Sequence, residues 1–485
     1  MDFVPIAIFW ALVVWALASR KPVLVYLFFG SMPFGSFAVV PTAVTAGLTL
    51  TPTPMVALLL IVRQLFDARG AAWAIGTALR PSGLLLLFLF WIVAVFVTLF
   101  MPRYFAGLDI VPLKVTQFMS VESLGPTMQN LSQLMYLSIS VLAVFAFARL
   151  LGQARMRTHV VGAISLGAAI TVATGLLDAA SQYVPLQPLL EPFRTASYAL
   201  LTDVEMEGAK RVVGLMPEAS SFGNLAVGFL SLLYFFRRTM APGLLRDRLA
   251  PGLLALLVAM IWISTSSAAY LGLFIFACVA VAEWLWRAAW VRDNAYLTRG
   301  LGPEFWIVAL GMSALILVAM LAPGVLQPVI EAVDLLVFRK SETSSFEERG
   351  MWTTLSWEAL LATHGLGTGL GGTRASNFAV ALTSNVGFLG AGLYFLFVLQ
   401  SLLLRRAPAQ DKQGQAFLNA ARWSWLAPFV SSLMIGTTPD FGLLNAFLYG
   451  FALAIAQPPA VARAQAYPAW TPAATALPRA PHGTP

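Results

Sequence analysis

The sequence predicts an all-α, polytopic membrane protein, and composition, run length and the absence of alternation predict it together. Of 485 residues, 59% are hydrophobic and only 11% are charged, against about 25% charged in a soluble domain. Apolar runs recur, among them Leu84–Phe100 and Phe388–Leu404, each close to the roughly 20 residues that cross a bilayer as a helix. The runs do not alternate apolar with polar residues as strands of a membrane barrel do. Helices remain, because backbone N–H and C=O groups in lipid must find partners within their own segment.

About 13 spans (12–14) are expected, near 2–19, 22–40, 42–62, 83–101, 129–148, 159–180, 221–236, 250–267, 268–286, 304–322, 378–404, 423–436 and 441–457. Together they make one transmembrane domain over 1–457. Lysine and arginine favour cytoplasmic loops. With the N-terminus outside, 21 of the 30 basic residues fall on the cytoplasmic side and nine outside, so the net charge of +8 reads as a topology signal and not as a nucleic-acid footprint. Asp2 precedes the first apolar run and Arg20-Lys21 follow it. That is the reverse of a cleaved signal peptide and places the N-terminus outside. The segment 458–485, with seven prolines in 28 residues, reads as a disordered cytoplasmic tail.

The cytoplasmic connections are short and basic, whereas three outer loops are long, near 102–128, 181–220 and 323–377. Charge inside the spans is sparse: Asp178 and Glu283 sit near span ends, and Arg287 follows Glu283 by one turn. An ionisable residue at mid-membrane marks an ion or proton path; the lack of one, and of an internal repeat, argues against an ion-coupled transporter. The only cysteine is Cys278, and His159, His364 and His482 are scattered, so neither a disulfide framework nor a local metal motif is expected.

Two outer loops carry patterned charge. The second contains Arg211-Val-Val-Gly214-Leu-Met-Pro217-Glu218-Ala-Ser220-Ser221-Phe222-Gly223, with Lys210 just upstream. Pro217 suits the first turn of a helix, and the free N–H groups of that helix start would face outer water, as an anion site needs. In the third, Ser345 and Glu348 fit a capping box for a helix over about 346–363, with Gly365 as its left-handed stop. Arg349 then lies near the positive helix end, where a guanidinium can fork onto phosphate oxygens, and His364 lies at the other end. The run Gly365-Leu-Gly367-Thr-Gly369-Leu-Gly371-Gly372-Thr-Arg374 can cradle phosphate with backbone N–H groups or simply turn the chain back into the membrane. It has neither the preceding strand nor the Lys-Ser/Thr of a nucleotide loop.

At these loops the chain resembles the superfamily of O-antigen polymerases and O-antigen ligases. The resemblance rests on Arg211-x-x-Gly214-x-x-x-Glu218 with Ser220 and Phe222-Gly223, and on the stretch from Arg349 to Gly390, which includes the glycine run, Ser376-Asn377 and Gly387-Phe-Leu-Gly390. It covers roughly 60 residues. It implies a GT-C-like architecture with two large periplasmic loops in the bacterial inner membrane, N-terminus periplasmic and C-terminus cytoplasmic. It also implies a metal-independent, inverting glycosyltransferase without cofactor. The donor would be a glycan on undecaprenyl diphosphate, and chain-length regulator and flippase proteins would be partners. The ligase branch commonly carries His-Asn where this chain has Ser376-Asn377. That departure favours a Wzy-type polymerase over a ligase, which would move glycan to lipid A core or to protein. A flippase for lipid-linked oligosaccharides is the rival of another class.

In the polymerase reading Arg211 and Arg349 stabilise the leaving diphosphate, with Arg374 and Lys210 in reserve. Glu218, then His364, is the expected base, with Glu347, Glu348 and Glu358 behind them, because a carboxylate beside lipid becomes a better base as its pKa rises. Ser376, Asn377, Gly367 and Gly369 fall in the expected substrate-binding set. Trp352 and Trp357 stack on sugar faces or anchor the chain at the interface.

Overall fold

The computed structural model describes residues 3–19, 21–41, 44, 49–112, 121–198, 200–202, 205–206, 209–322, 324, 327, 331, 334 and 344–456. The tail expected from 458 lies outside them. The described residues form 16 α-helices: Phe3–Ala18 (α1), Val23–Ser31 (α2), Pro52–Leu65 (α3), Ala68–Ala78 (α4), Leu85–Tyr104 (α5), Met128–Leu151 (α6), Ala154–Ala180 (α7), Gln187–Leu190 (α8), Ala219–Phe236 (α9), Ala250–Ile263 (α10), Ser267–Trp290 (α11), Leu301–Leu321 (α12), Ser344–Ala362 (α13), Phe378–Leu399 (α14), Lys412–Ile435 (α15) and Gly442–Ala456 (α16). Two antiparallel hairpins decorate the loops, Asp109–Ile110 with Glu122–Ser123 (β1, β2) and Glu205–Met206 with Ala209–Lys210 (β3, β4).

Among the described residues, seven helices are long and apolar enough to cross a membrane: α5, α6, α7, α9 continued to Thr239, α11, α12 and α14 continued to Leu404. Helices α1, α3 and α16 are apolar but shorter. The all-α, polytopic character stands, while several expected spans take a different form. The span expected at 22–40 is the nine-residue α2, which stops just before Met32-Pro33-Phe34-Gly35. Proline cannot donate the next helical hydrogen bond, and a Cβ on Gly35 would meet Met216 Sδ at 2.7 Å. The span expected at 42–62 begins only at Pro52; residues 42–43 and 45–48 fall outside the description. The span expected at 423–436 is the second half of the longer α15, which runs through Pro428. Helix α4 lies in a connection that the sequence reading expects on the cytoplasmic side. Its cap, Asp67, accepts from Gly70 N at 3.0 Å.

Helices α6 and α16 pack along one another, as do α5 with α14 and α2 with α7, while α15 lies against α9 and α11. Their apolar faces interlock through aromatic rings. Phe147 of α6 meets Phe28 of α2 at 4.9 Å between centroids and Phe447 of α16 at 5.5 Å, and Phe447 meets Phe29 at 5.0 Å. Edge-to-face pairs of this kind add about 0.5–1.5 kcal/mol beyond area burial. Outward faces are apolar too: α12 is exposed along nearly its whole length, as lipid-facing surface would be.

One buried ion cluster ties four helices at the end of the bundle where α9 finishes. Arg238 and Arg287 both reach Glu283 at 2.7 Å, Arg238 reaches Glu304 at 3.3 Å, and Arg287 also pairs with Glu304. Asn419 of α15 donates to Glu283 at 3.4 Å. The Glu283–Arg287 pair follows from helical spacing; Arg238 and Glu304 join it only through tertiary packing.

Removing one member leaves a buried charge uncompensated, which costs about 3–5 kcal/mol. Glu283→Ala is therefore expected to lower the thermal midpoint of the detergent-purified protein sharply, read by fluorescence-detected size exclusion after heating. A midpoint equal to wild type would mean that Glu283 does not stabilise the bundle by pairing Arg238 and Arg287.

Candidate functional site

The loop that leads into α9 is fastened by a carboxylate. Asp178, fully buried in the last turn of α7, accepts from Val213 N at 2.7 Å and Gly214 N at 3.0 Å. It also pairs with Arg194 at 3.1 Å and Lys210 at 3.7 Å. Lys210, expected to bind substrate, thus sits against Asp178. Two backbone donors and two cations satisfy a carboxylate that would otherwise be too costly to bury. The anchored loop then delivers Glu218, in extended conformation (φ −156°, ψ 162°), as the residue that caps α9. Helix α9 begins at Ala219, so Pro217 precedes the cap instead of occupying the first turn; its carbonyl accepts from Leu201 N at 2.8 Å.

Arg211 turns away from the loop towards the α10–α11 connection. Its Nε and Nη2 donate to Thr265 Oγ1 at 3.2 Å and Thr265 O at 3.0 Å, and Thr265 is held in the left-handed region (φ 46°). Burial pushes the Arg211 guanidinium down, and Glu218 and Tyr270 pull it back up. Arg211 is therefore an electrostatic neighbour of Glu218, though it does not line the cavity that Glu218 lines.

Helix α13 begins at Ser344, so Arg349 lies in its second turn, as the sequence suggests. Trp352 follows three residues later, buried, with Nε1 lacking an acceptor among the described residues. The guanidinium of Arg374 lies over the Trp352 ring at 4.1 Å. Burial lowers the Arg374 pKa, Glu218 raises it, Arg349 lowers it further and Glu348 opposes that; an arginine remains cationic through such shifts. His364 lies two residues past α13 in the left-handed region (φ 53°), beside Phe105. The helix from Arg349 to Ala362 alone rises roughly 20 Å, and His364 is absent from the cavity that Glu218 lines. Trp357 is half exposed and packs against Phe388.

The glycine run folds as a tight re-entry. Gly365, Gly367, Gly369 and Gly371 all have positive φ. The N–H groups are used internally: Gly367 donates to Thr363 Oγ1 at 3.1 Å, Thr368 to Ser384 O at 2.8 Å and Gly369 to Asn385 O at 2.9 Å, and Leu370 to Thr98 Oγ1 at 3.1 Å. Gly367 and Gly369 therefore hold the strap against α14 and α5. Ser376 N donates to Thr353 Oγ1 at 3.2 Å and Asn377 caps α14 through Val380 N at 3.1 Å, so these two connect the strap to α13 and start the next helix. The strap needs a break inside α14, and Gly387 supplies it (φ 73°, ψ 174°).

What these elements enclose is a cavity of about 480 Å³ lined by Glu218, Ser220, Ser221 and Asn224 from α9, by Glu348, Arg349, Trp352 and Arg374, and by the end of α15 with Ser431, Ser432 and Thr437. Two cations and two carboxylates share one wall-to-wall space. Glu218 Oε1 accepts from Ser220 and, at 3.4 Å, from Ser221. Among the described residues Arg349 forms no ion pair, in contrast to Arg194 and Lys210. Of the expected site residues, Glu218, Arg349, Trp352 and Arg374 come together here; Arg211 lies alongside, and Lys210, His364, Ser376, Asn377, Gly367 and Gly369 do not line it. The sequence reading missed Asn224, which follows Ser220 and Ser221 at helical spacing, and the polar end of α15, where Ser431-Ser432 and Thr437 flank Gly436 at the close of an apolar helix.

No protein-family model matches this chain, and no curated protein matches it.

A Cβ at Gly387 would meet Leu366 O at 2.5 Å and Gly365 O at 2.7 Å, and the left-handed backbone adds about 1–2 kcal/mol for an L-residue. Gly387→Ala is expected to loosen the 365–372 strap and expose it to limited proteolysis. Gly392→Ala in the same helix, which meets nothing within 4 Å, is expected to leave cleavage unchanged. Identical digestion of the two variants would contradict the role given to Gly387.

Proposed function

We propose that this chain is a polysaccharide polymerase of the O-antigen polymerase kind. It would transfer a growing glycan from undecaprenyl diphosphate to an incoming lipid-linked repeat unit, at the outer face of the bacterial inner membrane. The observation that supports this reading is the meeting of Arg349, Arg374 and Glu218 around one polar cavity at the head of α9. The 21-to-nine sorting of basic residues supports reading that end as the periplasmic one, with the N-terminus on the same side and the C-terminus in the cytoplasm. About 13 passes and a GT-C-like architecture belong to the same reading, as do chain-length regulator and flippase proteins as partners.

The chemistry asks for two things. As the C1–O bond to the diphosphate breaks, its electron pair leaves with undecaprenyl diphosphate. Arg349 and Arg374 are suited to receive that charge, since each guanidinium offers a fork matched to phosphate oxygens. As the new C1–O bond forms from the opposite face, the attacking sugar hydroxyl must give up its proton. Glu218, one of the two carboxylates lining the cavity, is assigned to take it, and a group in hydrogen-bond reach of the hydroxyl is what general base catalysis requires. Ser220 and Ser221 hold the carboxylate in one orientation. The reading differs from the sequence expectation in the identity of the pair that grips the diphosphate: Arg374 replaces Arg211, and Arg211 steadies the α10–α11 turn beside Glu218. Trp352 sets the plane of Arg374 and carries a buried donor on the cavity wall.

In cells whose own copy is deleted, Arg349→Ala and Arg374→Ala are each expected to cut polymer formation by ~10²–10³-fold, the usual effect of losing one charge-stabilising donor, with the protein still inserted and abundant. Arg349→Lys should rescue poorly, because an ammonium lacks the bidentate fork. Glu218→Gln should also abolish polymer. A full-length polymer ladder from Arg349→Ala or Arg374→Ala would remove that arginine from the mechanism. Glycan appearing on lipid A core or protein instead of a lengthened lipid-linked chain would identify a ligase.

A further inference from the structure

A second charged cavity lies at the opposite end of α14. Residues 378–404 are helical on both sides of the break at Gly387, and the stretch after the break alone rises about 25 Å, so its end lies far from Arg374. There, a space of about 390 Å³ is lined by Arg80, Ser82 and Gly83 from the α4–α5 turn, by Gln400, Arg405 and Arg406, and by the end of α16. Arg405 is 6% exposed. It donates to Ser82 O at 3.3 Å and Gly83 O at 2.6 Å, and Gln400 Nε2 donates to Pro81 O at 2.6 Å. Carbonyls orient these side chains but do not neutralise a charge. Arg405 Nε lacks an acceptor among the described residues. Arg422 lies next door, donating to the Arg405 carbonyl.

The missing component is a negative charge. The lining contains no Asp or Glu, and among the described residues none of Arg80, Arg405, Arg406 and Arg422 forms an ion pair, in contrast to Arg194, Arg238 and Arg287. Residues 457–485, which follow α16, contain no Asp or Glu either. Burial alone lowers the Arg405 pKa, to about 10, with no carboxylate opposing it. A built, half-enclosed pocket with three guanidinium groups and no counter-charge is arranged for an external anion. Its position at the polar end of a spanning helix, on the arginine-rich side, selects an anion that lies at a membrane surface.

We propose that this cavity binds a phosphate group, as carried by an acidic glycerophospholipid headgroup of the leaflet opposite the Glu218 cavity. The site is separate from the glycosyl-transfer reading and does not depend on it.

The test uses the full-length protein, delipidated in a non-ionic detergent, with binding followed by native mass spectrometry and thermal midpoint. Phosphatidylglycerol, phosphatidylcholine and inorganic phosphate are titrated separately. Arg80→Gln and Arg406→Gln change exposed side chains and leave Arg405 to hold the turn. Each is expected to weaken phosphatidylglycerol binding about fivefold, the usual worth of one basic residue at an anionic membrane surface. Arg248→Gln, an exposed arginine after α9, controls for general surface charge and is expected to have no effect. Selective retention of phosphatidylglycerol, lost in the double variant, supports the lipid source. Phosphate binding lost in the double variant without lipid selectivity supports a free phosphate as the source. Equal binding of phosphatidylcholine and phosphatidylglycerol without phosphate binding, or a loss in Arg248→Gln as large as in Arg406→Gln, would overturn the site.

Discussion

An uncompensated charge is costlier in the interior of an apolar helix bundle than anywhere else in a chain, and this constraint sorts the ionisable residues of the molecule. Where charge is needed for structure it is neutralised on the spot. Asp178 takes two backbone donors and two cations, and Arg238, Glu283, Arg287 and Glu304 neutralise one another. Other arginines line cavities. Arg349 and Arg374 meet Glu218 at one end of the bundle, and Arg80, Arg405 and Arg406 gather at the other. The two groups sit at the ends of α14, so the same helix separates them and fixes their spacing.

The structural charges also explain why the Glu218 cavity has a defined shape. Asp178 pins the loop that presents Glu218, and Thr265 holds Arg211 against the α10–α11 turn. On the other wall, the glycine strap spends its N–H groups on Ser384, Asn385, Thr363 and Thr98, which ties α13 and Arg374 to α14 and α5. Preorganisation of this kind is what an electrostatic catalyst requires, since donors already in position lose little on meeting developing charge. The strap therefore acts on the site through position. A phosphate cradle would need N–H groups pointing outward, and these point into the fold.

Much of this was legible in the sequence, for reasons that differ by residue. Helicity and membrane character follow from composition and run length, and the starts of α13 and α9 follow within two or three residues from cap and motif spacing. The pairing of Glu283 with Arg287 follows from i, i+4 geometry. What local pattern does not encode is which distant groups meet. Lys210 and Arg211 read as candidates because they sit next to a helix start, yet Asp178 and Thr265, 32 and 54 residues away in sequence, claim them. Arg374 is ordinary as a sequence neighbour of a glycine run and becomes central only because Trp352 lies under it. The helices at 22–40 and 42–62 are shorter than hydrophobicity alone suggests, Val23–Ser31 and Pro52–Leu65, because Pro33 follows the first closely and Pro52 opens the second at the position a helix tolerates it.

The central claim is that the Glu218–Arg349–Arg374 cavity transfers glycan between lipid-linked substrates. The most direct measurement is reconstitution of the purified chain alone in liposomes with a defined undecaprenyl-diphosphate-linked repeat unit, followed by separation of the lipid-linked products by length. The account predicts a ladder of lengthened lipid-linked chains and release of undecaprenyl diphosphate in step with each bond formed, equally with and without a metal chelator. Substrate moved across the bilayer with no lengthening would contradict it and make the protein a transporter; a ladder that chelator abolishes would contradict the assignment of the diphosphate to arginine.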